Sequence, residues 1–262
     1  MKPKKSLGQN FLTSIPARIA IVNAGNLVSS DTVLEIGPGK GFLTEGLLKT
    51  GAKVVAIEKD RELISILNEK FSEEIKSGQL KLINDDALDF SLASCSLLPA
   101  SYKLIANIPY YITGAILEKY LSCKNQPSQM VVLVQKEVAE RIVAQDKKES
   151  ILSLAVKAYG EPKIVYRVKR GSFNPIPNVD SAVLSITNIS RKNFKSDKHE
   201  ELFFKLIKAG FSHKRKFLIS NLRETFPTID FISLFQTNNI SEKIRAEDVS
   251  LEKWLAVSRQ IL

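Results

Sequence analysis

The chain has 262 residues, 44% of them hydrophobic and 25% charged, which is enough for one large domain or for a large and a small one. It contains no run of ~20 apolar residues that could span a membrane, and no apolar segment of a secretory signal follows its basic first residues. Two cysteines (Cys95 and Cys123) and two histidines (His199 and His213) argue against a disulfide framework, a zinc site and histidine catalysis. We expect reduced thiols, surface histidines and a cytoplasmic monomer without a metal or a membrane partner.

The net charge of +10 and the pI near 9.5 predict a polyanionic partner. The charge is concentrated between Arg191 and Arg223, where ten Lys and Arg residues outnumber three acidic residues. A basic surface that is merely solvated and a surface that binds anionic lipids are alternative explanations. The clustering favours a nucleic-acid-binding face.

From residue 32 to about residue 145, short apolar runs with β-branched residues alternate with amphipathic stretches. The predicted strands span residues 32–36, 53–57, 80–83, 103–106 and 130–134. The predicted helices span residues 42–50, 60–76, 113–122 and 136–145. This alternation indicates βαβ units and therefore an α/β fold, in which helices cover both faces of a parallel, Rossmann-like sheet.

Two further predicted strands, 163–168 and 182–187, flank a proline-rich loop and are close in sequence. They predict an antiparallel pair at the sheet edge. After Asn188 the pattern becomes helical, and the predicted helices span residues 200–209, 214–224, 229–236 and 251–262. We therefore expect two domains, an α/β domain of residues 1–190 and a small all-α domain of residues 191–262 that carries the basic cluster.

A glycine-rich turn follows the first predicted strand, with Gly37, Gly39 and Gly41 in the sequence GPGKG. Glycines let the backbone turn sharply and let a nucleotide-like cofactor approach closely, although a tight strand-to-helix turn without a ligand is the alternative. A dinucleotide-binding GxGxxG motif would need its third glycine where this chain has Phe42. S-adenosylmethionine has no pyrophosphate to cradle, and the spacing therefore favours this cofactor over a nicotinamide dinucleotide.

Acidic residues follow the next two predicted strands. Glu58 comes 21 positions after Gly37, where a carboxylate can accept hydrogen bonds from both ribose hydroxyls of a cofactor. Asp85 and Asp86 follow the third strand, where a carboxylate can accept from an adenine amino group. We favour Asp86 because alternate residues at a strand end face opposite sides. A solvated acid is the alternative at each position, but acids at successive strand ends together indicate a cofactor site.

The fourth strand ends in Asn107-Ile108-Pro109-Tyr110, a sequence typical of enzymes that methylate amino groups. An exocyclic amino group is a poor nucleophile because its lone pair is delocalised into the ring. The Asn107 side-chain oxygen and the Ile108 carbonyl can accept its two hydrogens and so aim the lone pair at a methyl group. Pro109 stiffens the turn, and Tyr110 offers a ring for base stacking worth roughly 1–3 kcal/mol. No general base is obvious, and alignment of the reacting atoms can supply much of the catalysis.

Five segments, in this order, resemble the ribosomal RNA adenine dimethyltransferase family, and most closely its bacterial small-subunit members. They are Gln9-Asn10-Phe11-Leu12, Glu35-Ile36-Gly37-Pro38-Gly39, Asn107-Ile108-Pro109-Tyr110, Gln135-Lys136-Glu137-Val138 and Phe173-Asn174-Pro175-Ile176-Pro177-Asn178-Val179-Asp180-Ser181-Ala182-Val183. The resemblance covers residues 6–223. It implies a class I methyltransferase that uses S-adenosylmethionine to dimethylate N6 of two adjacent adenines near the 3′ end of 16S rRNA in the small ribosomal subunit.

The resemblance also implies a role for individual residues. It implies that the cofactor is bound by Asn10, Leu12, Gly37, Glu58, Asp86 and Asn107. It implies that the catalytic residues are Asn107, Tyr110 and Phe173, the last two sandwiching an adenine flipped out of its stack. Residues 191–262 would bind the rRNA or the ribosome, although their basic segment at 211–216 has fewer arginines than the family usually shows.

Three other functions compete with this interpretation. A 23S rRNA adenine methyltransferase would share the Asn-Ile-Pro-Tyr site, but the segment 173–183 and the basic helical tail fit the small-subunit enzyme better. A nicotinamide-dependent oxidoreductase would need GxGxxG and no Asn-Ile-Pro-Tyr, which is the reverse of this sequence. A non-catalytic assembly factor would not need Asn107, Tyr110 and Phe173, although a binding role could coexist with catalysis.

Overall fold

The computed structural model describes residues 4, 8–90, 99 and 101–262, and Cys95 lies outside this part of the chain. The chain divides into two compact units. The first consists of the described part of Met1–Ala139 together with Glu161–Ile189, and the second of Glu140–Gly160 with Ser190–Leu262. The second unit thus includes a segment that the predicted boundary at 190/191 assigns to the larger domain. Within the described residues, no helix is both long and apolar enough to cross a membrane.

The first unit is built on a seven-stranded sheet and a separate two-stranded pair. Its described strands are β1 (Phe11–Leu12), β2 (Thr32–Ile36), β3 (Lys53–Glu58), β4 (Leu80–Asn84), β5 (Lys103–Asn107), β6 (Gln129–Gln135), β7 (Glu161–Val168), β8 (Phe173–Asn174) and β9 (Ser181–Thr187). The large sheet has the order β4-β3-β2-β5-β6-β9-β7, and β1 pairs with β8. Strands β2 to β6 are parallel, whereas β9 runs antiparallel to β6 and β7. The predicted antiparallel pair at the sheet edge is confirmed.

Helices cover both faces of this sheet. The described helices are α1 (Ile15–Ala24), α2 (Phe42–Leu48), α3 (Arg61–Lys70), α4 (Ser72–Lys76), α5 (Thr113–Ser122) and α6 (Lys136–Val143), the last of which contains a boundary between the two units. The middle residues of β5 and β6 are all buried, although consecutive side chains of a strand point to opposite faces. Only a sheet covered on both sides buries such runs, which confirms the predicted α/β fold.

Two helices differ from the prediction for local physical reasons. The helix predicted at 60–76 is broken at Phe71, whose backbone leaves the helical region (φ −115°, ψ 32°), so α3 and α4 are separate. Helix α1 was not predicted, because apolar side chains surround it: Ile15 and Ile19 are exposed while Ile21 is buried. Its start is nevertheless specified by Ser14, whose side chain accepts the Ala17 N–H as an N-cap.

The second unit is entirely helical. Apart from the end of α6, its described helices are α7 (Ile151–Tyr159), α8 (Asp197–Gly210), α9 (Leu218–Thr225), α10 (Phe231–Thr237) and α11 (Leu251–Ile261). Its core is rich in aromatic rings, with Phe203, Phe231, Phe235 and Trp254 almost completely buried. The predicted helix 214–224 begins only at Leu218, and the preceding basic residues therefore lie in a loop.

His199 is a buried core residue of the second unit, so the prediction that it lies on the surface was wrong. Its Nδ1 accepts the Lys195 N–H (3.1 Å) and its Nε2 lies 2.9 Å from the Ser258 hydroxyl. Burial lowers the pKa of the imidazole, and the charges of Arg259 and Lys195 lower it further. The ring is therefore neutral and joins α8 to α11, which is a structural role.

The third glycine of the glycine-rich turn serves helix packing. Gly41 has a left-handed backbone (φ 75°) at the start of α2, and a Cβ on it would lie only 2.4 Å from the Phe71 ring and 3.0 Å from Leu67. Its position in the sequence is therefore set by the contact of α2 with the chain around Phe71. The turn needs a glycine at position 41 for two reasons: the left-handed backbone angle, and the lack of room for a Cβ atom.

Gly41→Ala should destabilise the protein more than Gly78→Ala, and the two substitutions separate these reasons. Gly78 has the same left-handed backbone (φ 77°), but nothing lies within 4 Å of a Cβ there. Left-handed backbone costs an alanine roughly 1–2 kcal/mol at either position. The clash with Phe71 should add about 1–3 kcal/mol at Gly41 alone. Urea unfolding of both variants measures the difference, and equal losses would contradict the packing argument.

Candidate active site

A cavity of about 300 Å³ opens at the carboxyl edge of the sheet in the first unit. Strands β2, β3 and β4 are in register there, with Ile36 opposite Ile57 and Glu58 opposite Asn84, so their carboxyl ends lie side by side. An α/β sheet binds ligands at this edge. Six of the predicted site residues line the cavity, namely Asn10, Gly37, Glu58, Asp86, Asn107 and Tyr110.

Two predicted site residues do not line the cavity. Leu12 and Phe173 are directly paired across β1 and β8, and both side chains are buried in the hydrophobic core of the first unit. Phe173 is only 2% exposed. The structure therefore does not bring Phe173 and Tyr110 together around one cavity, and the adenine sandwich stays a prediction.

The first two glycines of the turn shape the cavity wall. Gly37 and Gly39 both have left-handed backbone (φ 66° and 59°), which glycine adopts without strain. A Cβ on Gly39 would lie 3.0 Å from the Phe11 ring, so the missing side chain is what lets the N-terminal segment approach. A Cβ on Gly37 would meet open space, with the Asn107 carbonyl oxygen 4.0 Å away as its nearest contact outside the adjacent residues. Backbone atoms of the turn thus face the cavity without side chains in between.

Glu58 is held at the end of β3 by two backbone donors. Its Oε2 accepts the Gly39 N–H (3.1 Å) and its Oε1 accepts the Asp60 N–H (2.9 Å). Burial raises the pKa of Glu58, and these hydrogen bonds to the charged form offset part of that rise. Each carboxylate oxygen retains a further lone pair, so Glu58 can still accept from hydroxyl groups in the cavity.

Asp86 is an ionised carboxylate that also lines the cavity. It forms an ion pair with Lys59 (2.6 Å) and accepts the Leu88 N–H (2.9 Å). The hydrogen bond from Lys59, followed by that from Leu88, lowers the pKa of Asp86. Asp85 lines the same cavity, because β4 ends at Asn84 and the alternation of faces stops with the strand. The preference for Asp86 over Asp85 stays a prediction.

Asn107 is the last residue of β5, Tyr110 begins the short 3₁₀ helix Tyr110–Ile112 that follows, and a hydrogen bond anchors each side chain. The Asn107 side-chain Nδ2 donates to the backbone carbonyl of Asn10 (3.2 Å). The Tyr110 hydroxyl lies 2.7 Å from the hydroxyl of Ser181, at the start of β9. Burial raises the pKa of Tyr110, so the phenol is neutral. Asn107, Ile108 and Tyr110 thus line one cavity, and an amide beside an aromatic ring can recognise an amino group on a planar base.

Comparison with known proteins agrees with this geometry. The sequence profile of the family described as ribosomal RNA adenine dimethylase matches residues 1–261. The chain belongs to the ribosomal RNA adenine dimethylase family. It is 42% identical over 258 residues to ribosomal RNA small subunit methyltransferase A of Dehalococcoides mccartyi strain CBDB1, covering 97% of this chain and 87% of that protein. The protein of the same name from Fusobacterium nucleatum subsp. nucleatum is 40% identical, with 97% of this chain and 96% of that protein covered.

Solved structures share the fold of this dimethylase. A dimethyladenosine transferase from Plasmodium falciparum superposes with a TM-score of 0.79 at 26% identity, covering 94% of this chain and 95% of the other. The 23S rRNA methyltransferase ErmE superposes with a TM-score of 0.76 at 23% identity, covering 96% and 99%. The second likeness shows the fold alone.

Sequence reasoning missed several residues around the site of the dimethylase. Tyr111 lines the cavity and is 63% exposed, and Gln9 lines it from the N-terminal segment. Both stand beside or within segments that carried the family resemblance, so that signal was available. Ser181 also stands within a resembling segment, but nothing in the sequence indicated its contact with Tyr110, 71 positions earlier, or the contact of Asp60 with Gln9, 51 positions earlier.

Glu35 is a second buried acid beside the cavity of the dimethylase. It is buried near the end of β2, and its Oε2 has no hydrogen-bond partner among the described residues. Burial raises the pKa of Glu35 to about 8, the nearby Thr44 hydroxyl lowers it in part, and the Glu58 carboxylate raises it. At neutral pH the carboxyl is mostly protonated.

Glu35 should make the stability of the dimethylase fall as the pH rises. Its pKa is about 8 in the fold against 4.5 ordinarily, so between these values the folded chain keeps a proton that the unfolded chain releases. The contribution of Glu35 to the free energy of unfolding is fully present below pH 4.5. It is lost progressively as the pH rises from 4.5 to about 8, with a slope of at most about 1.4 kcal/mol per pH unit. Glu35→Gln mimics the protonated acid and should lack this dependence. Urea unfolding across the range tests this, and a constant difference between variant and wild type would contradict the raised pKa.

Ser181→Ala should slow methyl transfer by loosening the Tyr110 ring. The substitution leaves the phenol without its partner, and we expect a loss of up to about tenfold in the single-turnover rate, with unchanged cofactor affinity. Tyr110→Phe removes the other partner, so adding Ser181→Ala to it should cost nothing more. Ser185→Ala is the matched control, a buried serine on the same strand that accepts from Gln129 instead. Equal losses from Ser181→Ala with and without the tyrosine hydroxyl would refute the anchoring role.

Proposed function

We propose that this chain transfers methyl groups from S-adenosylmethionine to N6 of two adjacent adenines near the 3′ end of 16S rRNA, giving N6,N6-dimethyladenosine. The observation that carries the proposal is a single cavity that joins Asn107 and Tyr110 to the carboxylates of Glu58 and Asp86. The first pair suits an amino-bearing base, and the second suits a ribose and an adenine. Membership in the dimethylase family supports the same chemistry.

The residues around the cavity fit S-adenosylmethionine. Gly37 exposes bare backbone to the open cavity, and Glu58 keeps lone pairs for the ribose hydroxyls. Asp86 would accept a hydrogen bond from the adenine amino group, and Asn10 lines the same cavity. When bound, the cofactor supplies a methyl group on a positively charged sulfur, which is an excellent leaving group. Leu12 lies in the core, so its proposed contribution is to pack the N-terminal segment that carries Asn10.

The chain's own contribution to the reaction is to hold and orient the target adenine. The Asn107 side-chain oxygen and the Ile108 carbonyl accept the two N6 hydrogens, which directs the nitrogen lone pair out of the ring plane. Tyr110 provides the face on which the flipped base stacks. Phe173 would have to leave the core to cover the other face, so its catalytic role rests on the family resemblance. Holding the amino nitrogen in line with the methyl group supplies most of the rate.

Two observations favour the small subunit as the substrate over 23S rRNA. The relatives at 42% and 40% identity, matched over 97% of this chain, are named as small subunit methyltransferases. The structural likeness to a 23S rRNA methyltransferase comes with only 23% identity and concerns the fold. The proposed enzyme acts as a monomer, in the cytoplasm where subunits are assembled.

The second unit supplies the proposed rRNA-binding surface. Part of the basic cluster is paired internally, because Arg191 contacts Asp197 and Glu200, and Lys216 contacts Glu224. The exposed basic residues along α8 and in the loop that follows include Lys198, Lys205, Lys208, Lys214 and Arg215. A row of exposed cations of this kind neutralises phosphates and makes affinity fall with salt.

Undermethylated 30S subunits incubated with this protein and S-adenosylmethionine should acquire N6,N6-dimethyladenosine at two adjacent adenines near the 3′ end of 16S rRNA. Mass spectrometry of the RNA measures the product, and 50S subunits serve as the alternative substrate. Methylation confined to 23S rRNA, or absent from both, would contradict the proposal.

Calorimetry on the purified protein tests the contribution of Glu58 to S-adenosylmethionine binding. Glu58→Gln loses charge-assisted hydrogen bonds to the ribose and should weaken S-adenosylmethionine binding by about tenfold or more. Glu73→Gln, an exposed acid on α4, is the matched control and should bind normally. Equal affinities for both variants would remove Glu58 from the cofactor site.

A further inference from the structure

A buried carboxylate holds the N-terminal segment against the end of β3. We call residues 8–12 the arm. The Asp60 side chain is only 2% exposed, and its Oδ2 accepts from Gln9 Nε2 in the arm at 3.0 Å. Its Oδ1 accepts from Lys4 Nζ at 2.8 Å and from the Glu62 N–H at 3.1 Å. Burial on its own would raise the pKa of Asp60, but the hydrogen bonds from Lys4, Gln9 and Glu62 lower it, so the group stays ionised.

One residue further along, the arm touches the proposed catalytic amide. The Asn10 backbone carbonyl accepts a hydrogen bond from the Asn107 side chain at 3.2 Å. A carbonyl can only accept, so the amide must turn its NH₂ group toward the arm. The Asn107 oxygen then points away from the arm, has no hydrogen-bond partner among the described residues and can accept a hydrogen of N6. A flipped amide would direct its NH₂ group at the amino group of the adenine, donor against donor.

We propose that Gln9 and Asp60 are positioning residues that hold the arm in place and thereby fix the orientation of the Asn107 amide. The inference rests on the proposed function, because it gives the amide oxygen a task. Among the described residues, the Asn107 side chain has no other hydrogen bond that would favour one of its two amide orientations. A single hydrogen bond of ordinary strength favours one of them by about two- to tenfold.

Gln9 is the better residue to test, because Asp60 also contacts Glu58 and the start of α3. The Asp60 N–H donates to Glu58, and the Asp60 side chain caps α3. A change at Asp60 would therefore also disturb Glu58, a proposed cofactor ligand, and the start of this helix. The described hydrogen bonds of the Gln9 side chain are confined to Lys4 and Asp60. Gln79→Ala is the matched control: this glutamine tethers backbone carbonyls of Leu48 and Ala52 on the same unit, away from the cavity.

A double-mutant cycle between Gln9 and Asn107 separates amide orientation from general support of the arm. Gln9→Ala should slow single-turnover methyl transfer to 30S subunits by about two- to tenfold at saturating cofactor, while Gln79→Ala should not. In an Asn107→Asp background the same change should cost less than about twofold, because either carboxylate oxygen can accept from N6. An equal loss in both backgrounds means that the arm acts without the amide, and overturns the proposal.

A second readout needs neither cofactor nor RNA. In protein labelled with ¹⁵N-asparagine, the Asn107 side-chain NH₂ signal is identified by its loss in Asn107→Asp. Gln9→Ala should speed hydrogen exchange of this NH₂ group by about two- to tenfold, and Gln79→Ala should leave it unchanged. Unchanged exchange in Gln9→Ala overturns the proposal even where Asn107→Asp is inactive. A positive exchange result in a protein that does not methylate 30S subunits would instead overturn the proposed function and keep the contact.

Discussion

The carboxylate of Glu58 is the interaction on which the geometry of the site depends. It accepts one hydrogen bond from the glycine-rich turn through Gly39 and another from the chain after β3 through Asp60. A charged acceptor on backbone donors is among the stronger hydrogen bonds in a protein, and burial strengthens it further. Because Asp60 also holds Gln9, the turn, the end of β3 and the arm are fixed relative to one another. The same group that would bind the ribose therefore also shapes the cavity.

The electrostatics of the cavity differ from those of the rest of the chain. The protein carries a net charge of +10, yet the acids Glu58, Asp85 and Asp86 all line this one cavity. A cationic sulfonium is favoured beside carboxylates, whereas a phosphate backbone is favoured along the exposed lysines of α8. The two partners of the proposed reaction are thus attracted to different surfaces. Protonation of Glu35 limits the negative charge near the cavity, because an ionised Glu35 beside Glu58 would be buried without a counter-ion among the described residues.

Most of the fold was predictable, because strand patterns and turns are local. Strand β2 was predicted at its observed ends, and the other strands of the sheet to within two residues. The break at Phe71 and the amphipathically weak helix α1 were not, because packing decided both. In the site, residues at strand ends such as Glu58 and Asn107 were predictable, since parallel strands bring their carboxyl ends to one edge. The placement of Phe173 in the core was not, because its partner Leu12 is 161 positions earlier in the chain.

The hydrogen bonds that orient the site were the least predictable part, and the reason is physical. Asn107 and Asn10 are 97 positions apart, and Tyr110 and Ser181 are 71 apart. Each of these hydrogen bonds uses one polar atom of a side chain to anchor it, while another part of the same side chain, the Asn107 oxygen or the Tyr110 ring, has the proposed function. A motif specifies the functional end, because chemistry restricts the residue type there. The anchoring end can be satisfied by any backbone carbonyl or hydroxyl that the fold brings near, so no pattern along the sequence records it. Which atom of Asn107 faces a substrate is therefore a property of the folded arm and not of the Asn-Ile-Pro-Tyr sequence.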